Sequence, residues 1–295
     1  MSFRSLHSGL KSIAILIVAG FALSQSTTAQ YQQQQPPQQQ PAPTPAPAGK
    51  ASPSNAPQAP AEAPKIDPEE EKAYKTFYDT NAPQQADIRI KLGEQFLVKY
   101  PQSRYVEQVY ARLMQDYLDK QELDKMYDAA DKALAINPDD VTVLVVTGWV
   151  YPHNYNPDEP NAEKRLSEAE AKEKHALDVL SKLPKPANLT DEQFAKAKDS
   201  AASQAHSGLG LIYFRRQDYA NSITELQSGE KIAVTPDATD FYVMGAGLQS
   251  LKRFGEAAEA YQKCAEIPSA LADRCKQRTD EAKKQASTQP AGPKP

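Results

Sequence analysis

The chain has few of the residues from which catalytic and metal-binding sites are built. Its 295 residues include two cysteines, four histidines and one tryptophan. Two cysteines exclude a scaffold held by several disulfides and a zinc site of four cysteines. The net charge is −4, and no basic block is present to bind nucleic acid. The sequence also has no His-Glu-x-x-His and no Gly-x-Ser-x-Gly pattern, so we expect no catalytic residues, no cofactor and no metal.

Residues 1–29 have the three-part pattern of a secretory signal peptide. Arg4 and Lys11 give a positive start, residues 13–23 form an apolar run, and Ala29 ends a stretch of small residues. The apolar run is 11 residues long, about half of the roughly 20 that a membrane-spanning helix needs. We therefore expect an exported protein, periplasmic if the source is Gram-negative and otherwise extracellular, with no membrane span after signal cleavage. An uncleaved anchor is the alternative.

Residues 30–66 form a second segment that is rich in Pro, Gln and Ala. Between Gln30 and Pro64 lie ten Pro, nine Gln and eight Ala, and only Lys50 and Glu62 are charged. Such a composition buries too little apolar surface to offset the entropy of ordering, so we expect a disordered linker. An extended polyproline II chain of this length would reach about 100 Å. The segment is either a passive spacer, which its composition favours, or a ligand for an aromatic-lined groove.

From Ile66 onward the apolar residues recur at helical spacing, and three windows of the sequence align with one another. Each window marks positions 4, 7, 8 and 11 of a first helix and positions 17, 20, 24 and 27 of a second. A small residue at position 8 lets the paired helix approach closely, large residues fill the remaining space, and a following proline ends the second helix. The windows are Tyr110, Leu113, Met114, Tyr117, Leu123, Met126, Ala130 and Ala133; His206, Leu209, Gly210, Tyr213, Tyr219, Ser222, Leu226 and Gly229; and Phe241, Met244, Gly245, Leu248, Phe254, Ala257, Tyr261 and Cys264.

This spacing resembles the tetratricopeptide repeat (TPR) family, whose period is 34 residues. Residues 208–213 followed by 217–219, and residues 133–138, are especially close to the family's motif. The resemblance implies an all-α fold, a right-handed superhelical array of helix-turn-helix repeats preceded by a disordered segment. We expect this array over residues 67–286, as about five helix pairs and a C-terminal capping helix, with residues 287–295 as a disordered tail.

Two units depart from the repeat period. Gly148 fits position 8 of a further repeat, but residues 152–160 are inserted before a long helix that we expect over 161–183. At the front of the array, residues 68–79 and 84–100 are predicted to form a helix pair.

The resemblance also implies a binding groove, because positions 2, 5, 9, 12 and 13 of the first helices line a concave surface in this family. Such a groove suits an extended peptide or a helix of a protein partner. The implied function is non-catalytic protein binding or scaffolding in the cell envelope; a structural spacer or assembly component without a specific ligand is the alternative, and an enzyme is less favoured. Trp149 either anchors a ligand in this groove or packs under the inserted loop. The residues predicted to bind protein are Gln108, Gln115, Leu118, Trp149, His153, Leu211, Phe214, Arg215, Tyr242 and Gln249, with Val145, Ser207 and Ala246 at related positions.

The two cysteines lie on consecutive predicted helices. Cys264 and Cys275 are 11 residues apart and either form a disulfide or leave Cys264 as a small packing residue. Export to an oxidising compartment favours the disulfide, which would contribute about 2–3 kcal/mol. A metal at His153 with Asp158 and Glu159 is disfavoured, because their spacing matches no standard site.

Overall fold

The computed structural model describes residues 67–288. The predicted signal peptide and linker, and the last seven residues of the chain, lie outside the described residues. The described part forms α-helices and one 3-10 helix at Pro83–Gln85, without a strand, which confirms the predicted all-α fold. No helix within it has both the length and the apolar content to cross a bilayer. The helices are α1 Pro68–Asp79, α2 Ala86–Lys99, α3 Val106–Asp119, α4 Leu123–Ile136, α5 Val141–His153, α6 Ala162–Lys182, α7 Asp191–Arg215, α8 Tyr219–Ile232, α9 Ala238–Ser250, α10 Phe254–Glu266 and α11 Ala272–Thr288.

The helices pack as successive pairs. Each odd-numbered helix from α1 to α9 contacts the helix that follows it, and α11 packs against α10. Successive first helices also contact one another, α5 with α7 and α7 with α9. Hydrogen bonds between units join residues about one repeat apart, as in Tyr74 to Gln108 at 3.2 Å and Ser207 to Asp240 at 2.7 Å. The predicted array of helix pairs is therefore confirmed.

Size complementarity holds the two helices of a pair together. A Cβ built on Gly210, at position 8, would lie 2.5 Å from the side chain of Leu226 at position 24. A Cβ built on Gly245 would likewise lie 2.7 Å from Tyr261. Only glycine leaves room for these side chains, since the packed interior has no space to yield. Glycine at position 8 thus has the packing role that the sequence pattern indicates in the second and third windows, whereas the first window has Met114 at this position.

The turn inside each aligned window is a Schellman motif formed by a residue other than glycine. Gln121, Gln217 and Lys252 all stand at position 15 and have φ values of 60°, 62° and 60°. In the second window the next N–H, that of Asp218, donates to the Tyr213 carbonyl oxygen at 2.9 Å. The same left-handed residue at the same position shows that the windows share one backbone register.

Two long helices follow the inserted segment. α6 has 21 residues and α7 has 25, against 14 in α8 and 13 in α9. Thr190 begins α7 with a capping box, in which its Oγ1 accepts from the Gln193 N–H at 3.2 Å and Gln193 Oε1 accepts from the Thr190 N–H at 3.0 Å. Residues 191–205 contain no Gly or Pro, so α7 runs on unbroken into the second window.

The last helix, α11, covers the C-terminal end of the array. A disulfide joins Cys264 of α10 to Cys275 of α11, with Cα atoms 5.8 Å apart. Both cysteines and Ala282 of α11 are fully buried. The helix thereby shields the apolar surface of the last pair from water, as a terminal cap does in a repeat array.

Candidate protein-binding site

The ten side chains predicted to line a groove are largely enclosed by helices. Gln115, Leu118, Trp149, Leu211 and Tyr242 are buried, with exposed fractions between 2% and 8%. The open part of this surface is therefore smaller than the family resemblance implies, and its binding role stays a prediction. The half-buried members are Gln108, His153, Phe214, Arg215 and Gln249.

The ten side chains form a row along the array, and neighbouring helices cover both ends of this row. Gln108 of α3 accepts a hydrogen bond from the Tyr74 hydroxyl of α1 at 3.2 Å. At the other end, the Gln249 amide of α9 donates to the Gln285 side chain of α11 at 2.7 Å. The part that stays open is the middle of the row, on α5 and α7.

Trp149 and His153 lie one turn apart on α5 at the centre of the row. Their ring centroids are 3.6 Å apart, and His153 Nδ1 lies 2.7 Å from the Trp149 carbonyl oxygen. Burial lowers the pKa of His153 to about 4, because a charged imidazolium is unfavourable away from water. The imidazole is therefore neutral at neutral pH and packs as an uncharged ring against the indole.

A buried chain of hydrogen bonds joins three first helices beneath this ring pair. Trp149 Nε1 of α5 donates to Ser207 Oγ of α7 at 3.3 Å, and Ser207 Oγ donates to Asp240 Oδ1 of α9 at 2.7 Å. Burial, and then the nearby Asp237 carboxylate, raise the pKa of Asp240 well above its usual range. Sequence reasoning did not select Asp240, which stands 33 residues after Ser207, about one repeat. These hydrogen bonds fix the position of the indole ring and the spacing of the three helices.

Arg215, the last residue of α7, connects the centre of the row to the inserted segment. Its Nε donates to the Pro152 carbonyl oxygen at 3.0 Å, and its guanidinium lies 5.8 Å from the ring centroid of Tyr155. The neighbouring Phe214 meets the ring of Tyr219 edge to face, with centroids 5.5 Å apart. Phe214 and Arg215 are consecutive residues of α7, and aromatic rings and guanidinium groups are both enriched at protein interfaces.

An acidic group lies on the α8–α9 side of the same region. The Asp237 N–H donates to Glu230 Oε1 at 3.3 Å, and burial raises the pKa of Glu230 to about 7. The Asp237 carboxylate raises the pKa of both His153 and Asp240. For His153 this opposes the effect of burial, and for Asp240 it adds to it. The open centre therefore presents both signs of charge.

An acidic side chain of the inserted segment pairs with the helix that follows it, α6. Glu159 pairs with Arg165 at 3.1 Å, and the Arg165 guanidinium lies 4.3 Å from the ring centroid of Tyr151. In the part of the chain that the structure describes, no three or more His, Cys, Asp or Glu side chains are grouped to hold a metal ion.

Comparison with known proteins finds structural similarity only. No family model matches the sequence, and no curated protein is similar enough to count as a relative. The thermophilic TPR protein TTC0263 of Thermus thermophilus is similar over 72% of this chain and 98% of its own, at 18% identity and a TM-score of 0.46. The TPR domain of P58(IPK) is similar over 73% of this chain and 65% of its own, at 13% identity and a TM-score of 0.31.

Proposed function

We propose that this protein is a non-catalytic interaction scaffold of the cell envelope, which binds a peptide or protein segment across the middle of its helix array. The observation that carries the proposal is the half-buried group formed by His153, Phe214 and Arg215, which we name the central surface. Aromatic and arginine side chains are enriched at protein interfaces and among the few residues that dominate their binding energy.

The buried network supports binding by holding this surface in place. The hydrogen bonds from Trp149 through Ser207 to Asp240 fix α5, α7 and α9 relative to one another. A surface that is already ordered loses less entropy when a partner binds. Trp149, 8% exposed, acts in this proposal as a positioning group for His153.

The sequence and the disulfide support the location in the envelope. Residues 1–29 have the pattern of an export signal, and the Cys264–Cys275 disulfide suits an oxidising compartment. In the alternative of an uncleaved anchor, residues 30–66 would tether the array at a distance of up to about 100 Å.

Co-purification from the native host tests this proposal. The tagged full chain is compared with Arg215→Ala, with Phe214→Ala and with Lys132→Ala, a control at an exposed residue of α4. Circular dichroism establishes that each variant is folded. We expect envelope proteins to co-purify with the wild type and the control. Their recovery should fall about tenfold in both central-surface variants, the change that a loss of about 1.4 kcal/mol of binding energy produces. Equal recovery from all four proteins would overturn the proposal and favour a structural spacer.

A further inference from the structure

A fully buried carboxyl group lies between α5 and α7, the two helices that carry the central surface. Glu173 of α6 is 0% exposed, and neither carboxyl oxygen has a hydrogen-bond partner among the described residues. It fills the space between two glycines on neighbouring helices: a Cβ on Gly148 of α5 would lie 2.7 Å from its side chain, and one on Gly208 of α7 would overlap the carboxyl. Since an unpaired buried carboxylate costs several kcal/mol, this packing accommodates the neutral acid.

The other glycine-containing repeats place an apolar side chain at the corresponding contact. The position-8 glycines Gly210 and Gly245 face Leu226 and Tyr261. Gly148 is the position-8 glycine of the unit with the insertion, yet it faces Glu173. The carboxyl of Glu173 therefore occupies a position that the other repeats fill with an apolar side chain, and a gain in stability does not explain a carboxyl there.

Glu173 acts on the same helix contact as the Trp149 hydrogen bond. Gly148 immediately precedes Trp149, and Gly208 immediately follows Ser207. Trp149 Nε1 and Ser207 Oγ are 3.3 Å apart across the α5–α7 contact. A force that separates the two glycines therefore separates this donor from its acceptor.

The charged groups around α6 leave Glu173 without compensation. Burial raises its pKa well above the usual range, and the field of Lys172, which itself pairs with Asp131 of α4 at 3.7 Å, offsets this only in part. Titratable groups on α5, on α7 and at the residue that follows α7 are engaged elsewhere. His153 bonds to the Trp149 carbonyl oxygen, His206 to Glu225, Arg215 to the Pro152 carbonyl oxygen, and Arg216 to Glu163.

We propose that Glu173 is a proton-dependent latch for the central surface. When Glu173 is protonated, α5 and α7 close on α6 and hold the surface in its binding shape. When Glu173 loses its proton, the carboxylate moves toward water, α5 and α7 separate, and the hydrogen bond between Trp149 and Ser207 opens. The consequence for binding rests on the proposed function, whereas the opening itself requires no partner.

The fluorescence of Trp149 reports this opening directly, because the chain has one tryptophan. The full chain and its Glu173→Gln variant are titrated from about pH 5 to about pH 9.5, below the range in which most tyrosines ionise. We expect the wild-type emission maximum to shift to longer wavelength with the loss of one proton. Glutamine has the shape of the protonated acid and does not ionise, so the variant should stay constant. No shift in the wild type, or the same shift in Glu173→Gln, would overturn the proposal.

Further variants separate Glu173 from the other titratable groups near Trp149. Asp240→Asn removes the carboxyl bonded to Ser207, His153→Gln removes the stacked imidazole, and both should retain the shift. A shift that persists in Glu173→Gln and disappears in Asp240→Asn would assign the transition to Asp240 and overturn the latch. If circular dichroism shows that Glu173→Gln is unfolded, Glu173→Leu, which introduces the residue type of Leu226, replaces it with the same expectation.

Co-purification at the two ends of the pH range separates the latch from the proposed function. The latch predicts that partner recovery falls as the fluorescence shifts in the wild type and stays constant in Glu173→Gln. A partner lost equally from both proteins would contradict the coupling of the latch to binding. A fluorescence shift in a protein that recovers no partner at either pH would overturn the proposed function and leave the opening itself supported.

Discussion

At the scale of single residues, a few buried polar groups join the helix pairs. Arg89 of α2 and Asp116 of α3 are 2% and 0% exposed. Arg89 Nε lies 2.8 Å from Asp116 Oδ2, and its Nη1 donates to the Thr80 carbonyl oxygen at 2.7 Å. Burial raises the pKa of Asp116 even though the Arg89 guanidinium lowers it. The two charges are therefore tolerated in this position only as a pair.

Removing one member of this pair should be far more costly than removing an exposed one. Arg89→Ala removes the hydrogen-bonded cation of a buried carboxylate and leaves only Arg112, whose Nε lies 3.9 Å from Asp116 Oδ1. We expect the free energy of unfolding to fall by about 3 kcal/mol in urea denaturation. Lys75→Ala breaks the pair with Asp79, whose side chains are 76% and 57% exposed, and serves as the matched control. That change should cost less than about 1 kcal/mol. Similar losses from the two variants would contradict this account of Arg89.

Glu230 should make stability depend on pH. Its pKa is raised by burial from 4.5 to about 7, so the folded state binds the proton more tightly than the unfolded state. The stabilisation is complete below pH 4.5 and is lost as the pH rises through about 7. The Tm of Glu230→Gln minus the Tm of the wild type, measured by thermal melting, should therefore be larger at about pH 8 than at about pH 4.5. A difference in Tm that is the same at both pH values would contradict the assignment.

At the scale of the elements, the helices follow from periodicity, whereas the turns between them do not. The long helix expected over 161–183 is found as Ala162–Lys182, because its apolar residues recur at helical spacing. The left-handed turns at Gln121, Gln217 and Lys252 carry no glycine, so the sequence has none of the usual signals for them. Their geometry comes from the packing of each pair.

A glycine at one of these turns should stabilise the protein. Gln217 has a φ of 62°, a conformation that is unfavourable for a residue with a Cβ. We expect Gln217→Gly to raise the free energy of unfolding by about 0.5–1 kcal/mol, after the added entropy of the unfolded chain is included. Gln227→Gly, at an exposed position inside α8, is the control and should lower it by about 0.5–1 kcal/mol. A loss of stability in both variants would show that the turn is not strained.

At the scale of the whole molecule, the sequence predicts the array of helix pairs but not how much of the predicted groove the neighbouring helices cover. The resemblance gives positions 2, 5, 9, 12 and 13 as groove positions within each repeat, but their exposure depends on residues one or more repeats away. Tyr74 covers Gln108 from the preceding pair, and Gln285 covers Gln249 from the last helix. No pattern within one window indicates such contacts, and for the same reason the sequence does not identify Glu173 or Asp240 as functional residues.

The disulfide should stabilise the array by holding its last helix. Closing the short loop between Cys264 and Cys275 is worth about 2–3 kcal/mol through the entropy of the unfolded chain. We expect the double variant Cys264→Ala, Cys275→Ala to lose about that much in urea denaturation. A reductant should weaken the wild type by a similar amount and leave the double variant unchanged. Equal sensitivity of both proteins to the reductant would contradict a role for the disulfide.

The central claim is that a protein partner contacts the middle of the array, and photo-crosslinking in the native host tests it most directly. A photoreactive residue replaces Phe214 in one protein and Lys132, on the exposed side of α4, in the other. We predict specific adducts with one or a few envelope proteins from position 214 and none of these from position 132. A folded, exported protein that gives no adduct from position 214, or the same adducts from both positions, would contradict the account.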